Sequence, residues 1–592
     1  MSEIKNPLSF YQSEKRRLEQ IGNTLKSQLK LIGLLRTGLF LILLISSYYL
    51  IERTLILLTV IGPGSVLFLM LVLKYQKLQK KRKLSLHLLN INLEEIEILQ
   101  GEFHHFPSGI EFSDPRHYYS NDIDLFGQGS FFQFMNRTAT RSGTSKLASL
   151  LLENKVEQIK QKQFVVQELA QKVSWRQHFL AKARMVKNET NPEDIISWIK
   201  NHKRFLPGFM KYLTLIFSSL SLIFVILTAL SPDFFYLLVI WFFAGLLITL
   251  PYFKRINTLY EASGKIKNTF KQYESLLSQI ESVELNAVLA REQQNRIHST
   301  DKKASEIFKE FSQILDAFDQ RNNMLFGILG NGFLLWDIKN TNRIDSWISK
   351  YRHQVDQWFE VIAYFDSQIS LSNYVFNHPD HNFSSIVDTN QILKARELGH
   401  PLISRDQRVS NDYEINDKEF HIITGANMAG KSTFLRTVSL ALVMTNVGLP
   451  VCAKRMAYSP IKLITSMRTS DSLKDDDSYF YAEIKRLRFI VESMKKESYF
   501  VILDEILKGT NSKDKALGSI KFVEILVHSG SSGIIATHDL SLCEIEKKFD
   551  QVQNKYFDAE IRNKELFFDY KLKDGVCKNM NASFLLKKME II

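Results

Sequence analysis

Phe420-His421-Ile422-Ile423-Thr424-Gly425-Ala426-Asn427-Met428-Ala429-Gly430-Lys431-Ser432-Thr433 is the stretch on which the reading of this chain turns. A short strand candidate runs into a loop of the form GxxxxGK[ST], and Thr433 to Val447 continues as a helix. Strand, loop and helix stand in the order that phosphate binding requires. The glycines let backbone N–H groups wrap a phosphate at a helix N-terminus, Lys431 neutralises the outer phosphates, and the Ser432 hydroxyl suits a magnesium ion. Every residue from Gly425 to Thr433 is thus a candidate contact for ATP, with Ser432 as a magnesium ligand.

The loop pattern also arises by chance, so its surroundings decide. Tyr499-Phe500-Val501-Ile502-Leu503-Asp504-Glu505 is a wholly apolar strand ending in two acids, as expected where a buried parallel strand delivers carboxylates to the edge of a sheet. Asp504 is the second magnesium ligand, and Glu505 is the general base that polarises the attacking water. Ile534-Ile535-Ala536-Thr537-His538-Asp539 supplies a third strand, with His538 placed to sense the γ-phosphate. Adjacent acids can be a solvated strand end and a lone histidine can be structural; three such elements in this order favour a site.

These residues carry a resemblance. Residues 424–433 are similar to the TGPNM-[AG]-GKST loop of the MutS mismatch-repair family, residues 504–512 to its DEIGRGTST element, and Ala536-Thr537-His538 to its ATH. Upstream, Asp124 to Phe132 and Asn136 to Gly143 resemble the start of that family's helical core. The resemblance implies a P-loop ATPase that uses ATP and Mg2+ and pairs with a second copy, each completing the other's pocket with a serine. In Asp477-Ser478-Tyr479-Phe480-Tyr481-Ala482-Glu483, which resembles the family's STFxxE, Ser478 is the candidate contact in trans. Where the family stacks the base on an aromatic ahead of its loop, this chain has Gln407 and Arg408, and an arginine plane can replace the ring. The family's mismatch readers place a Phe-x-Glu domain and a connector before the core. Here that pattern occurs only at Phe308-Lys309-Glu310 and Phe522-Val523-Glu524, within helical runs.

What precedes the core is apolar instead. Four runs, 31–51, 54–73, 213–230 and 234–250, have the length of membrane-crossing helices, and the links Glu52-Arg53 and Ser231-Pro232-Asp233 make two tight hairpins of them. The net charge of +13 sits on their flanks: residues 1–36, 74–83, 200–211 and 254–271 together carry +18, leaving −5 for the rest of the chain. Basic flanks on all four outer ends are the positive-inside pattern and argue against nucleic acid as the reason for the charge. The expected location is a cytoplasmic (inner) membrane, multi-pass, with the ATPase on the cytoplasmic side. Three cysteines, Cys452, Cys543 and Cys577, show no CxxC pairing, which suits a reducing compartment.

The expected fold is multidomain, α and α/β: a basic tail and first hairpin at 1–83, a helical core at 84–211, a second hairpin at 212–251, long lever helices at 252–384, and a P-loop ATPase with a mostly parallel sheet at 385–592. The expected function is a membrane-anchored MutS-like ATPase. ATP hydrolysis at a homodimer interface would move lever and membrane helices, with the lipid bilayer and a client protein as partners. A mismatched-DNA-binding repair protein at the membrane is the alternative, with DNA as partner. An ABC-type transporter is a third reading, opposed by the lack of an LSGGQ-like stretch between Pro450 and Tyr499.

Overall fold

A computed structural model describes residues 6–186, 190–298, 302–468, 479–508, 511–562 and 565–577. Ser478, the candidate contact in trans, lies outside these residues.

Helices Pro7–Tyr49 and Thr54–Leu99 form an antiparallel hairpin of 43 and 46 residues. Each is half apolar and half amphipathic. The distal halves expose their side chains, Leu34 at 72 % and Leu58 at 70 %. The proximal halves bury Tyr11, Leu18, Leu88 and Ile91 in the protein. Residues 7–30, which charge alone presents as a basic tail, are therefore helix docked on the core. Asn6 caps that helix, its side-chain oxygen accepting from the N–H groups of Leu8 and Ser9, and Tyr11 Oη donates to Asn377 Oδ1 at 2.7 Å.

The second hairpin pairs Met210–Leu230 with Phe235–Thr249 through a 3-10 turn at Pro232–Phe234. Four helices of the described chain contain windows long and apolar enough to cross a membrane, and no more than 17 % of any such window is buried. A further apolar helix, Met324–Leu334, packs against both helices of the second hairpin. The region around it reads as polar lever helix in sequence, and at 11 residues this helix falls well below the ~17–25 needed to span a bilayer. Its docking depends on small residues: a Cβ on Gly245 would lie 2.3 Å from the Gly332 carbonyl oxygen, and one on Gly332 would lie 2.1 Å from the Phe242 ring. Its final carbonyls are capped by the hairpin. Ser221 Oγ donates to the Phe333 carbonyl at 2.5 Å and itself accepts from Trp241 Nε1 at 2.8 Å. Backbone at such a helix end needs partners wherever water is scarce.

Long helices Phe253–Glu281, Ala304–Asp319, Trp336–Tyr351 and Val355–Asn377 bury an aromatic-rich core containing Phe270, Phe308, Phe311, Trp347 and Phe359. Val355–Asn377 is buried nearly all round and meets the upstream block through Asp366, whose carboxylate accepts from the N–H groups of Ala139 and Thr140 and from the Thr140 hydroxyl. That carboxylate stands where a side chain at Gly143 would be, 2.1 Å from an ideal Cβ, so the residue must be glycine.

From residue 385 the chain alternates strands and helices. Strands β1 (Ser385–Ile386), β2 (Gln391–Leu398), β3 (Asn411–Asn416) and β5 (Arg455–Tyr458) form one sheet in the order β1-β5-β2-β3. The second sheet is mixed, in the order β12-β9-β4-β8-β7-β6. Its members are β4 (Phe420–Gly425), β6 (Lys462–Ser466), β7 (Tyr499–Asp504), β8 (Ser532–Ala536), β9 (Val552–Phe557) and β12 (Leu572–Asp574). Five of these run parallel and β12 is antiparallel to β9. A small pair, β10 (Glu560–Arg562) with β11 (Glu565–Phe567), stands apart.

Candidate functional site

Strands β4, β8 and β7 are neighbours and parallel, so their C-terminal ends converge on one edge of the sheet. Ligands of open parallel sheets bind at that edge. The loop after β4, the two acids at the end of β7 and the histidine after β8 therefore meet, although they are spread over more than a hundred residues of chain. Two backbone bonds extend the ladder beyond the strands and hold them in register. Thr537 N–H donates to the Ile423 carbonyl and Glu505 N–H to the Ala536 carbonyl, each at 2.9 Å.

The loop has the backbone its glycines permit. Gly425 has φ 148° and approaches β9 so closely that a Cβ would lie 2.6 Å from the Phe557 carbonyl oxygen; Gly430 has φ 101° and starts helix Lys431–Asn446. Lys431 is buried, and its Nζ donates back to the carbonyls of Gly425 and Ala426 at 2.9 and 3.0 Å. Burial lowers its pKa, opposed by the charges of Asp504 and Glu505. Ser432 Oγ donates to Asp504 Oδ2 at 2.6 Å.

The Glu505 carboxylate has two side-chain partners. His538 Nε2 lies 2.7 Å from its Oε1 and Lys508 Nζ lies 3.7 Å from its Oε2. The hydrogen bond from His538 is the main reason the carboxyl is pulled down to about 2, against the opposing effect of burial. Nε2 also lies 3.2 Å from Lys431 Nζ. A proton on Nε2 serves Glu505, while Lys431 directs its own protons to the loop carbonyls. The backbone beneath is left-handed, with φ 49° at Glu505 and 60° at Leu507, a conformation that persists in ordinary residues only when the surroundings hold it. Glu483 does that: buried on helix Tyr479–Met494, it accepts from the N–H groups of Leu507 at 2.6 Å and Lys508 at 3.0 Å.

A cleft of about 530 Å3 opens over these groups. Its polar end holds Lys431, Ser432, Asp504, Glu505 and His538; its other end is lined by His400, Ile403, Phe434 and Tyr570, among others. Burial, with Arg436 nearby, pushes His400 down to about 4, so it presents a neutral ring at neutral pH. Gln407 also lines the cleft, whereas the Arg408 side chain packs over Gly399 and is not among the lining residues. Arg408, offered by the sequence as a plane for the base, thus stands off this cleft, which presents the rings of His400, Phe434 and Tyr570. Tyr570, 3.1 Å from an ideal Cβ on Gly430, comes 139 positions after the loop's lysine, too far along the chain for spacing to have signalled it. Glu483 was visible only as part of the stretch around Ser478.

Among the described residues no group of three or more His, Cys, Asp or Glu side chains is arranged to hold a metal ion. A magnesium ion needs no such group, since it binds through one or two protein oxygens plus phosphate and water. The hydroxyl and carboxylate oxygens of Ser432 and Asp504, 2.6 Å apart, are a hard donor pair that fits that requirement.

The upstream block is bonded directly to this domain. Asp122 accepts from Thr465 Oγ1 at 2.5 Å and from the Arg468 N–H at 2.9 Å, while Asp124 pairs with Arg468 and with Arg436, 3.5 Å away on the helix that follows the loop. Asn154 exchanges two hydrogen bonds with the backbone of Leu463 on β6.

Comparison with known proteins agrees with this geometry. Residues 421–588 match the family model for MutS domain V. The chain is 32 % identical over 234 residues to the DNA mismatch repair protein MutS of Thermotoga maritima, covering 39 % of this chain and 29 % of that protein. It is 30 % identical over 243 residues to human MutS protein homolog 4, covering 39 % of this chain and 25 % of the relative. The DNA mismatch repair protein MutS of Macrococcus caseolyticus is 30 % identical over 239 residues, 39 % of this chain and 28 % of its own length. The chain thus spans under a third of each of these relatives. The likeness to MutS proteins, as far as the family model places it, lies in the C-terminal part of the chain.

Proposed function

We propose that this protein is a Mg2+-dependent ATPase of the MutS type, anchored in the cytoplasmic membrane by its apolar hairpins and paired with a second copy through its ATPase domains. ATP binding and hydrolysis then move the lever helices and, through them, the membrane segments and a client. The observation that carries the reading is the meeting of Lys431, Ser432, Asp504, Glu505 and His538 at one sheet edge, each within hydrogen-bonding distance of another.

Each residue has a distinct task. Lys431 exchanges two loop carbonyls for phosphate oxygens, and the backbone N–H groups from Gly425 to Thr433 cradle the rest. Ser432 and Asp504 would hold magnesium, which supplies charge neutralisation along the phosphates. Glu505, a carboxylate that His538 holds in place by donating to it, takes the proton of the attacking water. His538 is a positioning residue for that carboxylate and stands near enough to Lys431 to register what the lysine binds. His400 and Tyr570 are the rings available to the base, and Ser478 would complete the partner's pocket.

Support for mechanical coupling comes from buried polar contacts between the regions. Glu95, at the base of the first hairpin, pairs with Arg137 at 2.7 Å and accepts from Asn373 and Asn377 of helix Val355–Asn377. The same upstream block reaches the ATPase through Asp122 and Asp124. Rigid, satisfied contacts of this kind can transmit displacement.

The membrane location rests on the exposed apolar halves of four helices. DNA mismatch repair, named for two of the relatives above, is the second reading and places DNA among the partners. One experiment separates the two: the full chain, purified in detergent, is assayed for ATP hydrolysis with and without matched and mismatched duplex DNA. Hydrolysis that needs magnesium and is indifferent to DNA is expected. Strong stimulation by mismatched duplex would favour the repair reading, and absence of hydrolysis in every arm would overturn the ATPase.

A further inference from the structure

We propose that a basic cleft at the root of the second hairpin binds the phosphate-bearing headgroup of an anionic phospholipid. The cleft, about 370 Å3, lies where the first turns of Met210–Leu230 meet helices Ala304–Asp319 and Trp336–Tyr351. Its lining contains five cations, Lys211, Lys302, Lys339, Arg343 and Lys350, and one carboxylate, Glu310. Glu310 is taken by Lys302 at 3.2 Å. Among the described residues, none of the other four cations has a carboxylate within ion-pair distance, leaving a local charge of about +4 directed at a space the size of a headgroup.

A second observation points to a polar ligand. Asn342 lines the same cleft, is only 6 % exposed, and neither its Oδ1 nor its Nδ2 has a hydrogen-bond partner. Leaving both polar atoms of a buried amide unsatisfied is destabilising, so such a group asks for an explanation. The phosphate oxygens of such a headgroup accept from Nδ2, and a free headgroup hydroxyl, as in phosphatidylglycerol, donates to Oδ1.

Lipid, as opposed to a soluble phosphate, follows from what adjoins the cations. Leu215, one helical turn beyond Lys211 and ~6 Å further along the axis, also lines the cleft and is 61 % exposed on the apolar face of Met210–Leu230. Ile314 and Trp347 complete the apolar side. Charge followed by exposed hydrocarbon is the order of a phospholipid from phosphate to acyl chain. The neighbouring cleft under Met324–Leu334 lacks this character, because its Arg321 is matched by Asp337 at 3.0 Å and by Asn257 at 2.7 Å.

This inference rests on the membrane reading of the hairpins, and two measurements keep the failures apart. The first is native mass spectrometry of the full chain in neutral detergent, titrated with phosphatidylglycerol, with phosphatidylcholine of the same acyl chains, and with inorganic phosphate or glycerol 3-phosphate as competitors. Selective retention of phosphatidylglycerol is expected, weakened ~10²-fold in the triple variant Lys339→Gln, Arg343→Gln, Lys350→Gln, which removes three surface charges each worth ~1 kcal/mol at an anionic surface. Asn342→Leu should weaken retention while raising Tm in lipid-free detergent, because it removes a buried amide without partners. Equal binding of the two lipids, unchanged binding in the triple variant, or displacement by soluble phosphate at the lipid's own concentration would each overturn the lipid site. The second measurement is alkaline carbonate extraction of membranes carrying the full chain: release without detergent overturns the membrane reading itself, whatever the cleft binds.

Discussion

Two stretches of this chain are comparably apolar and are treated in opposite ways. In β7, Phe500, Val501, Ile502 and Leu503 are all fully buried between flanking helices. In the first hairpin, Leu34, Leu55, Leu58 and Leu67 are between 50 and 80 % exposed, and none of the apolar window of the second helix is buried. Leaving one such side chain in water forgoes ~1.5–3 kcal/mol relative to burial, so dozens of them in water would cost more than a domain's whole stability. The apolar strand builds the edge that carries the candidate site; the apolar helices leave their surface uncovered, as the proposed membrane location requires. Hydrophobicity alone therefore does not tell a core from an anchor. What separates them is element length and where the charge lies: β7 ends in two acids that line the cleft, while the apolar half of the second helix runs into the basic cluster at 74–83.

The largest effect should come from the acids at the end of β7. Glu505→Gln keeps the shape and removes the base, so hydrolysis should fall by ~10²–10⁴-fold while ATP binding persists. Nucleotide retention and turnover, measured on the same preparation, check this. Turnover within a few-fold of wild type would reassign the base and leave the β7 end as a structural edge.

Next in size is a test that only the hairpins can fail. Leu67, half exposed in the second helix, would tolerate lysine at a water-facing position within ~0.5 kcal/mol, whereas at the centre of a bilayer the same charge costs ~2.5–3.5 kcal/mol. Leu67→Lys is expected to reduce the membrane-integrated fraction, scored by carbonate-resistant protein. Full accumulation of an easily extracted, active variant would put the hairpin in water and erase the contrast with β7.

Much of the candidate site was legible because phosphate-binding chemistry demands particular residues in short contiguous runs: a glycine-rich loop, two acids closing an apolar strand, a histidine after another. Parallel strands then bring those runs together without further instruction. The helical part was less so, for physical reasons. Tyr11 and Leu18 are two turns apart among charged residues, so the buried stripe of the first helix is thinner than its basic surface. Glu95 and Arg137 are separated by 42 positions, and nothing local marks them as a buried pair. Met324–Leu334 carries three glycines in eleven residues and is too short for a span; only its packing on the second hairpin reveals that it belongs with the apolar elements.

That packing gives the third prediction. Gly245→Val places a side chain against the Gly332 backbone, which cannot move as a flexible side chain could. Overpacking of this kind costs ~1–3 kcal/mol, and the expected result is a lowered Tm in detergent with the nucleotide affinity of the ATPase retained. An unchanged Tm would mean that the short helix docks loosely and plays no part in the hairpin.

The smallest effect concerns the pair that poises Glu505 and is visible only in acid. His538 is the chief reason this carboxyl sits at about 2, below the ordinary 4.5. A carboxyl depressed in the folded state stabilises that state fully above its unfolded pKa, and the contribution is lost as pH falls from about 4.5 through about 2. Wild type should therefore exceed His538→Asn in Tm at about pH 5.5, where Glu505 is largely ionised in both. The margin should narrow as the pH falls below about 4.5, because the variant's Glu505 titrates near its ordinary value and has little left to lose. The change is modest because the Glu505 side chain keeps 23 % of its surface in solvent, which screens the pair. Thermal melts of the two proteins in detergent between about pH 5.5 and pH 3.5 provide the check. A margin that stays constant across the whole range would show that His538 acts on the fold through contacts other than the carboxylate, and it would remove this histidine as the cause of the depressed Glu505 carboxyl.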